Sequence, residues 1–371
     1  MRSMIPARLI AMIALTTLAL LMCGSLHLKV SAQSGKPAID APKFEVDPFW
    51  PKPLPNHWVI GMVGGVCVDA KDHVFAVTRD EFLMHFEHNS AKLAPGVIEF
   101  DPEGKVVNSW GNRDSMPKEL HSCFVDNEGN IWIAGNHDGI VQKYTHDGNK
   151  MLLQIGTRGK FDSADGTDSR KTEMLAMNSS HLLLNSPTDV AVDPTNGDVY
   201  ISDGYGNCRV VVFDREGKYL RQWGRHGTLA EIEAGVGGVF LKAVHCVVIG
   251  HDGLVYVCDR EGDRIQVFDK MGNFKRNIAI QSRAPHVSPG AAGWMAFSAD
   301  PSQKFIFVGD SADAEMQVLD RATGQALSSF GQTGTQTGEF ENPHTVAVDS
   351  KGDVIVGDTD GRRLQLWRLV K

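Results

Sequence analysis

Residues 185–224 read NSPTDVAVDPTNGDVYISDGYGNCRVVVFDREGKYLRQWG. Four short apolar runs alternate with turn chemistry: TDVAVD, the turn DPTNGD, DVYISD, a loop, RVVVFD, the turn DREG, and KYLRQWG. β-Branched and aromatic residues in short alternating runs, broken by Asp, Asn, Gly and Pro, predict antiparallel strands joined by tight connections rather than helices. Similar units stand at GMVGGVCVDAKDHVFAVTR, ELHSCFVDNEGNIWIAG, LKAVHCVVIGHDGLVYVCD, AGWMAFSADPSQKFIFVGD and NPHTVAVDSKGDVIVGD, which makes six. Asp203, Asp259, Asp310 and Asp358 end the second strand of their units, so the repeat is about fifty residues long. Six units of four strands predict an all-β, six-bladed β-propeller with four antiparallel strands per blade.

The ends of the chain fit a ring. The last unit stops at LQLWRLVK, one strand short, and the stretch HWVIGMVGG precedes unit one as a leftover strand ending. Residues around Trp58 are therefore expected to supply the outer strand of the final blade, which would leave no edge unpaired there. The propeller then occupies 57–371, behind an extended arm over 33–56 that carries Pro42, Pro48, Pro51, Pro53 and Pro55. Residues 1–32 read as an export signal: Arg2 and Arg8 precede an apolar run from Leu9 to Met22, and Val30-Ser31-Ala32 is a small-x-small cleavage pattern. The expected product is secreted or periplasmic, with no transmembrane segment in the mature chain. Lipid attachment at Cys23 is disfavoured by Met22, too large for the small residue such processing takes before its cysteine.

Composition narrows the function. The chain of 371 residues has a net charge of −8 and no basic run, so nucleic acid is not an expected partner. Five of the six cysteines lie beyond the signal, so at least one stays free. Cys67, Cys123 and Cys246 sit in apolar strand patterns and are expected to be small buried hydrophobes. The longest insertion, Thr157 to Ser186, either covers the channel mouth or is a disordered excursion, and the sequon Asn178-Ser179-Ser180 inside it reads as an ordinary polar loop.

In a propeller the first strand of each blade lines the axis. Aligned on the residue that closes this strand (Asp69, Asp126, Asp193, Gly250, Asp300 and Asp349), the units carry Gly64, His121, Thr188, His245, Met295 and His344 five places earlier. The histidines fall in blades two, four and six. Alternate blades of a six-fold ring are about 120° apart, so three imidazoles at one level converge, as a metal with three nitrogen ligands and an open position requires. Zinc is the favoured ion for such a set. Arg209, Arg264 and Arg363 recur with the strand-ending aspartates and read as scaffold, whereas Arg79, Arg260 and Tyr205 are singular and lie on the rim near the histidines. A metal flanked by two guanidinium groups makes an anion pocket, so the expected ligand is small or peptide-like and bears a carboxylate. Tyr205, beside those charges, is the candidate base.

The segments 187–224, 244–268 and 342–367 resemble the NHL-repeat propeller of peptidyl-α-hydroxyglycine α-amidating lyase, and the likeness runs from about Trp58 to the C-terminus. The resemblance implies a catalytic zinc on His121, His245 and His344, a catalytic Tyr205, active-site arginines Arg79 and Arg260, and cleavage of an N-(α-hydroxy)glycine unit to an amide and glyoxylate. A structural calcium of that family would fall at the backbones of Val66 and Cys123 with a carboxylate after the third histidine, where this chain has Thr345. That departure makes Ca2+ doubtful here. The family's disulfide cysteines are not reproduced, since Gly206 follows Tyr205. The alternative function is a non-catalytic NHL-repeat propeller acting as a binding or scaffold module. A lactonase of the gluconolactonase type is a third, set apart by its acidic and amide ligands.

Overall fold

The computed structural model describes residues 39–79, 85–168 and 177–371. The export signal, Cys23, the start of the arm and the middle of the long insertion lie outside the described residues.

Six four-stranded antiparallel sheets succeed one another along the chain. Blade one runs from Val63 to Trp110, blade two from Leu120 to Gly156, blade three from Pro187 to Trp223, blade four from Val244 to Ala279, and blade five from Trp294 to Phe330. Blade six takes three strands from Pro343–Val370 and its fourth from Lys43–Val46. The inner strand of each blade abuts the inner strands of its two neighbours, and that of blade six abuts blade one, which closes the ring. The second strands are the most apolar and are buried throughout, as VFAVT, IWIAG, VYISD and VYVCD show. Outer strands end on aromatic residues that pack on the following blade, Trp110 on Tyr144 and Trp223 on Phe268.

The clasp differs from the expectation. Residues 43–46, KFEV, pair antiparallel with the end of the last strand, Lys43 opposite Val370 and Val46 opposite Trp367. Their alternation puts Phe44 against Phe307 and Phe330 of blade five, and that apolar contact selects this segment. Trp58–Val59 instead forms a short parallel pair with Lys92–Leu93. The arm is thus partly a blade strand.

The cysteines also depart from expectation. Cys67 is bonded to Cys123, joining the inner strands of blades one and two, and Cys246 to Cys258 within blade four. Among the described residues Cys208 is the cysteine outside both disulfides, and it is buried. The apolar strand pattern reported burial correctly and was silent on the facing partner.

Buried Asp–Arg pairs recur as scaffold. Arg209 Nε lies 3.0 Å from Asp203, Arg264 Nε 2.8 Å from Asp259, and Arg363 Nε 3.0 Å from Asp358. The same carboxylates accept backbone N–H groups of Asn185, Leu241 and Asn342, fixing the chain just before each inner strand. Blade five has no arginine there. Burial pushes the Asp310 carboxyl up to about 7, against hydrogen bonds from the Ala312 and Asp313 backbone.

Candidate metal centre

The histidines owe their direction to a bulge. In blade two Leu120 pairs with Gly135 and Ser122 with Ala134, leaving His121 out of the ladder; in blade six Pro343 and Thr345 are paired and His344 is skipped. Blade four skips His245 and Cys246 together. A bulged residue turns its side chain away from the pleat, here onto the axis. The ring centroids of the three histidines lie 4.7 to 4.9 Å apart with planes nearly perpendicular, and their candidate ligand nitrogens all fall within 4.8 Å of one another.

The odd-numbered blades set the tautomer. His121 Nδ1 lies 2.7 Å from the Thr188 carbonyl and His245 Nδ1 2.5 Å from that of Gly293. His344 turns its Nδ1 toward the Gly64 backbone in the same sense, though without a well-formed hydrogen bond. A carbonyl acceptor keeps the proton on Nδ1 and leaves the Nε2 lone pair for the centre, the arrangement a metal-binding imidazole needs. Burial depresses all three histidine pKa values. The neighbouring histidines add to this at His121, Arg260 at His245, and Arg79 with Arg260 at His344. Three buried neutral imidazoles form a donor set that fits Zn2+ in kind and number.

These contacts correct the reading of blade five. Gly293, not Met295, is equivalent to Gly64 and Thr188. The inner strand of that blade closes at Ser298, whose N–H bonds to Phe305, so Asp300 lies two residues beyond it in the turn. The next residue, Trp294, stands 5.5 to 5.9 Å from all three imidazoles, ring to ring. It floors the site, and on its other side lines an axial cavity of about 260 Å³ that also receives Asp189. Burial raises Asp189 to about 7.

Tyr205 and the two arginines meet the histidines. The Tyr205 hydroxyl lies 2.9 Å from His245 Nε2 and 3.3 Å from His121 Nε2, and it accepts a 2.7 Å hydrogen bond from Arg260. Arg260 also stacks on the Tyr205 ring at 5.1 Å, is 8% exposed, and has a buried Nε with no hydrogen-bond partner among the described residues. Arg79 donates Nε to the Leu120 carbonyl, the residue before His121. The Tyr205 loop is seated on the end of the long insertion, its N–H on the Ser186 carbonyl. Asp162 ties that insertion together by accepting from Ser179 and Asn207. Asn178 of the sequon is engaged with the Cys208 backbone, as a structural polar residue. Thr345, at the calcium family's carboxylate position, accepts from Val66 N–H at 3.1 Å.

The NHL repeat family matches residues 184–213, the end of the insertion and the first three strands of blade three. The chain is an NHL-repeat β-propeller. It is 28% identical over 330 residues to peptidyl-glycine alpha-amidating monooxygenase B of Xenopus laevis, covering 85% of this chain and 34% of that one. It is 26% identical over 328 residues to a probable peptidyl-alpha-hydroxyglycine alpha-amidating lyase of Caenorhabditis elegans, with 84% and 83% covered. The NHL-repeat propeller thus spans about a third of the length of the Xenopus protein. Among solved structures it is similar in fold to a streptogramin B lyase, with a TM-score of 0.55 at 13% identity over 90% of this chain and all of that one.

Proposed function

We propose that this propeller is an exported zinc-dependent lyase that cleaves an N-(α-hydroxy)glycine (carbinolamide) unit to an amide and glyoxylate. The observation that supports it is the convergence of Tyr205 and Arg260 on the nitrogens of His121 and His245, beside His344. His121, His245 and His344 would hold the zinc, which would supply Lewis-acid polarisation of a substrate oxygen when bound. Tyr205, acting through its deprotonated oxygen, takes the proton of the substrate hydroxyl; the O–H electron pair becomes the second bond of the glyoxylate carbonyl, the C–N bond breaks with its pair leaving on nitrogen, and the Tyr205 hydroxyl returns the proton to that nitrogen. Arg260 donates into the Tyr205 oxygen and stabilises the negative charge that oxygen carries before it takes the proton. Arg260 and Arg79 together favour a substrate carboxylate over a neutral group, and Trp294 closes the site toward the axial cavity.

The test is glyoxylate release from an α-hydroxyglycine dipeptide, with zinc measured on the same protein. Turnover and stoichiometric zinc that are both lost in His245→Ala support the lyase. Zinc without turnover assigns the histidines to a binding module, and the absence of both zinc and turnover removes the lyase reading.

A further inference from the structure

The pairing beside the bulge sets blade four apart. Where blades two and six drop only the histidine from the backbone ladder, blade four drops two residues, Val244 pairing with Asp259 and then Val247 with Val257. The register shifts by one residue in all three blades, so what blade four lacks is the single backbone pair after the histidine, Cys246 opposite Cys258, at the place where the strand's direction matters. The gap is closed by the bond between Cys246 and Cys258, both fully buried, whose Cα atoms are 4.9 Å apart. Cys246 follows His245 directly. Cys258 precedes Asp259, which holds the strand entry at Leu241, and stands two residues before Arg260, which donates to Tyr205.

We infer that the Cys246–Cys258 disulfide is a positioning device for the metal centre, holding His245 and Arg260 in mutual register. This rests on the reading of His245 as a zinc ligand. Supporting groups behind a metal-binding histidine typically change metal affinity by about 10- to 100-fold, and a covalent tie that stands in for the missing backbone pair beside His245 belongs in that class. The other disulfide, Cys67–Cys123, joins inner strands beyond the bulges and has no ligand next to either cysteine.

The experiment compares zinc affinity, by chelator competition, and the cobalt(II) d–d spectrum in the parent, in Cys246→Ala/Cys258→Ala and in Cys67→Ala/Cys123→Ala, each well below its own Tm. Both pairs are expected to lower Tm. Only the blade-four pair is expected to weaken zinc binding by about ten-fold or more and to shift the cobalt bands. Cys246→Ala/Cys258→Val refills the core should the first variant fold poorly. Parent-like zinc affinity and cobalt bands in a folded blade-four variant overturn the inference. Zinc binding unchanged in His245→Ala with the disulfide intact overturns the ligand assignment instead, so the two failures are distinguishable.

Discussion

Tyr205→Phe removes one oxygen and leaves every nitrogen of the histidine set in place. The lost contacts are those to His245 at 2.9 Å, His121 at 3.3 Å and Arg260 at 2.7 Å. Their net worth to stability is about 1 kcal/mol each at most, since water competes for the same groups in the unfolded chain, and the stacking of Arg260 on the ring is kept. The chemical cost is larger. A positioned proton acceptor contributes about 10²- to 10⁴-fold, which at about 1.4 kcal/mol per decade is about 3–5 kcal/mol of barrier. The expected result is a kcat lowered by two to four decades, a KM little changed, and zinc still bound at one per chain. Glyoxylate release read beside metal content is the assay. A variant within ten-fold of the parent, with its zinc in place, would show that the phenol is not the base.

Arg260→Ala and Arg79→Ala are expected to raise KM at least about ten-fold for a substrate with a free carboxylate and much less for its amide, because a charge-assisted contact is lost; equal effects on both substrates would remove the carboxylate-clamp role. Arg209→Ala strands Asp203 and Asp162 as buried carboxylates and is expected to cost about 3–5 kcal/mol, seen as a fall in Tm on the order of 10 °C. Asp310 titrates near 7 when folded and near 4 when unfolded. The folded state therefore holds the extra proton between those values, and its stability falls as pH rises from about 4 to about 7. Asp310→Asn, followed by urea denaturation, should gain stability relative to the parent between pH 5 and pH 8; a constant difference would mean that burial does not hold the proton.

The ring was legible because five of the six turns follow their inner strand at the same place, and counting back from the residue that closes the strand (Asp69, Asp126, Asp193, Gly250 or Asp349) crosses the bulge by the same number of residues in blades one, two, three, four and six. His121, His245 and His344 fall out of that count directly. Blade five fails because Ser298, not an aspartate, closes its strand, so the count from Asp300 arrives two residues late and hides both Gly293 and Trp294. The clasp was missed because KFEV is four residues long and its apolar partners, Phe307 and Phe330, are distant in sequence. The disulfides were missed for a similar reason: Cys67 and Cys123 face each other across two blades, and strand alternation reports which face a residue takes, not what stands opposite.

The alternation of ligand and support around the axis has one more physical requirement, which is close approach of backbones. A Cβ on Gly64 would lie 1.9 Å from the Leu120 carbonyl oxygen, one on Gly204 2.0 Å from that of Val244, and one on Gly309 2.4 Å from that of Pro343. Each of these carbonyls belongs to the residue before a ring histidine, and each glycine comes from an odd-numbered blade. Oxygen and methyl carbon need about 3.2 Å or more, so Gly64→Ala pushes the His121 strand outward by about 1 Å and disturbs the carbonyl that Arg79 grips. Overpacking of this kind costs about 1–3 kcal/mol, which a fold of six blades survives, whereas a 1 Å misplacement of reacting groups costs about 10²-fold. Gly64→Ala is therefore expected to fold, with a modestly lower Tm, and to lose zinc affinity and turnover out of proportion to that loss. If it kept both while its Tm fell, the seats would serve blade packing alone, and the aim of the histidines would have to come from the bulges and the carbonyls of Thr188 and Gly293.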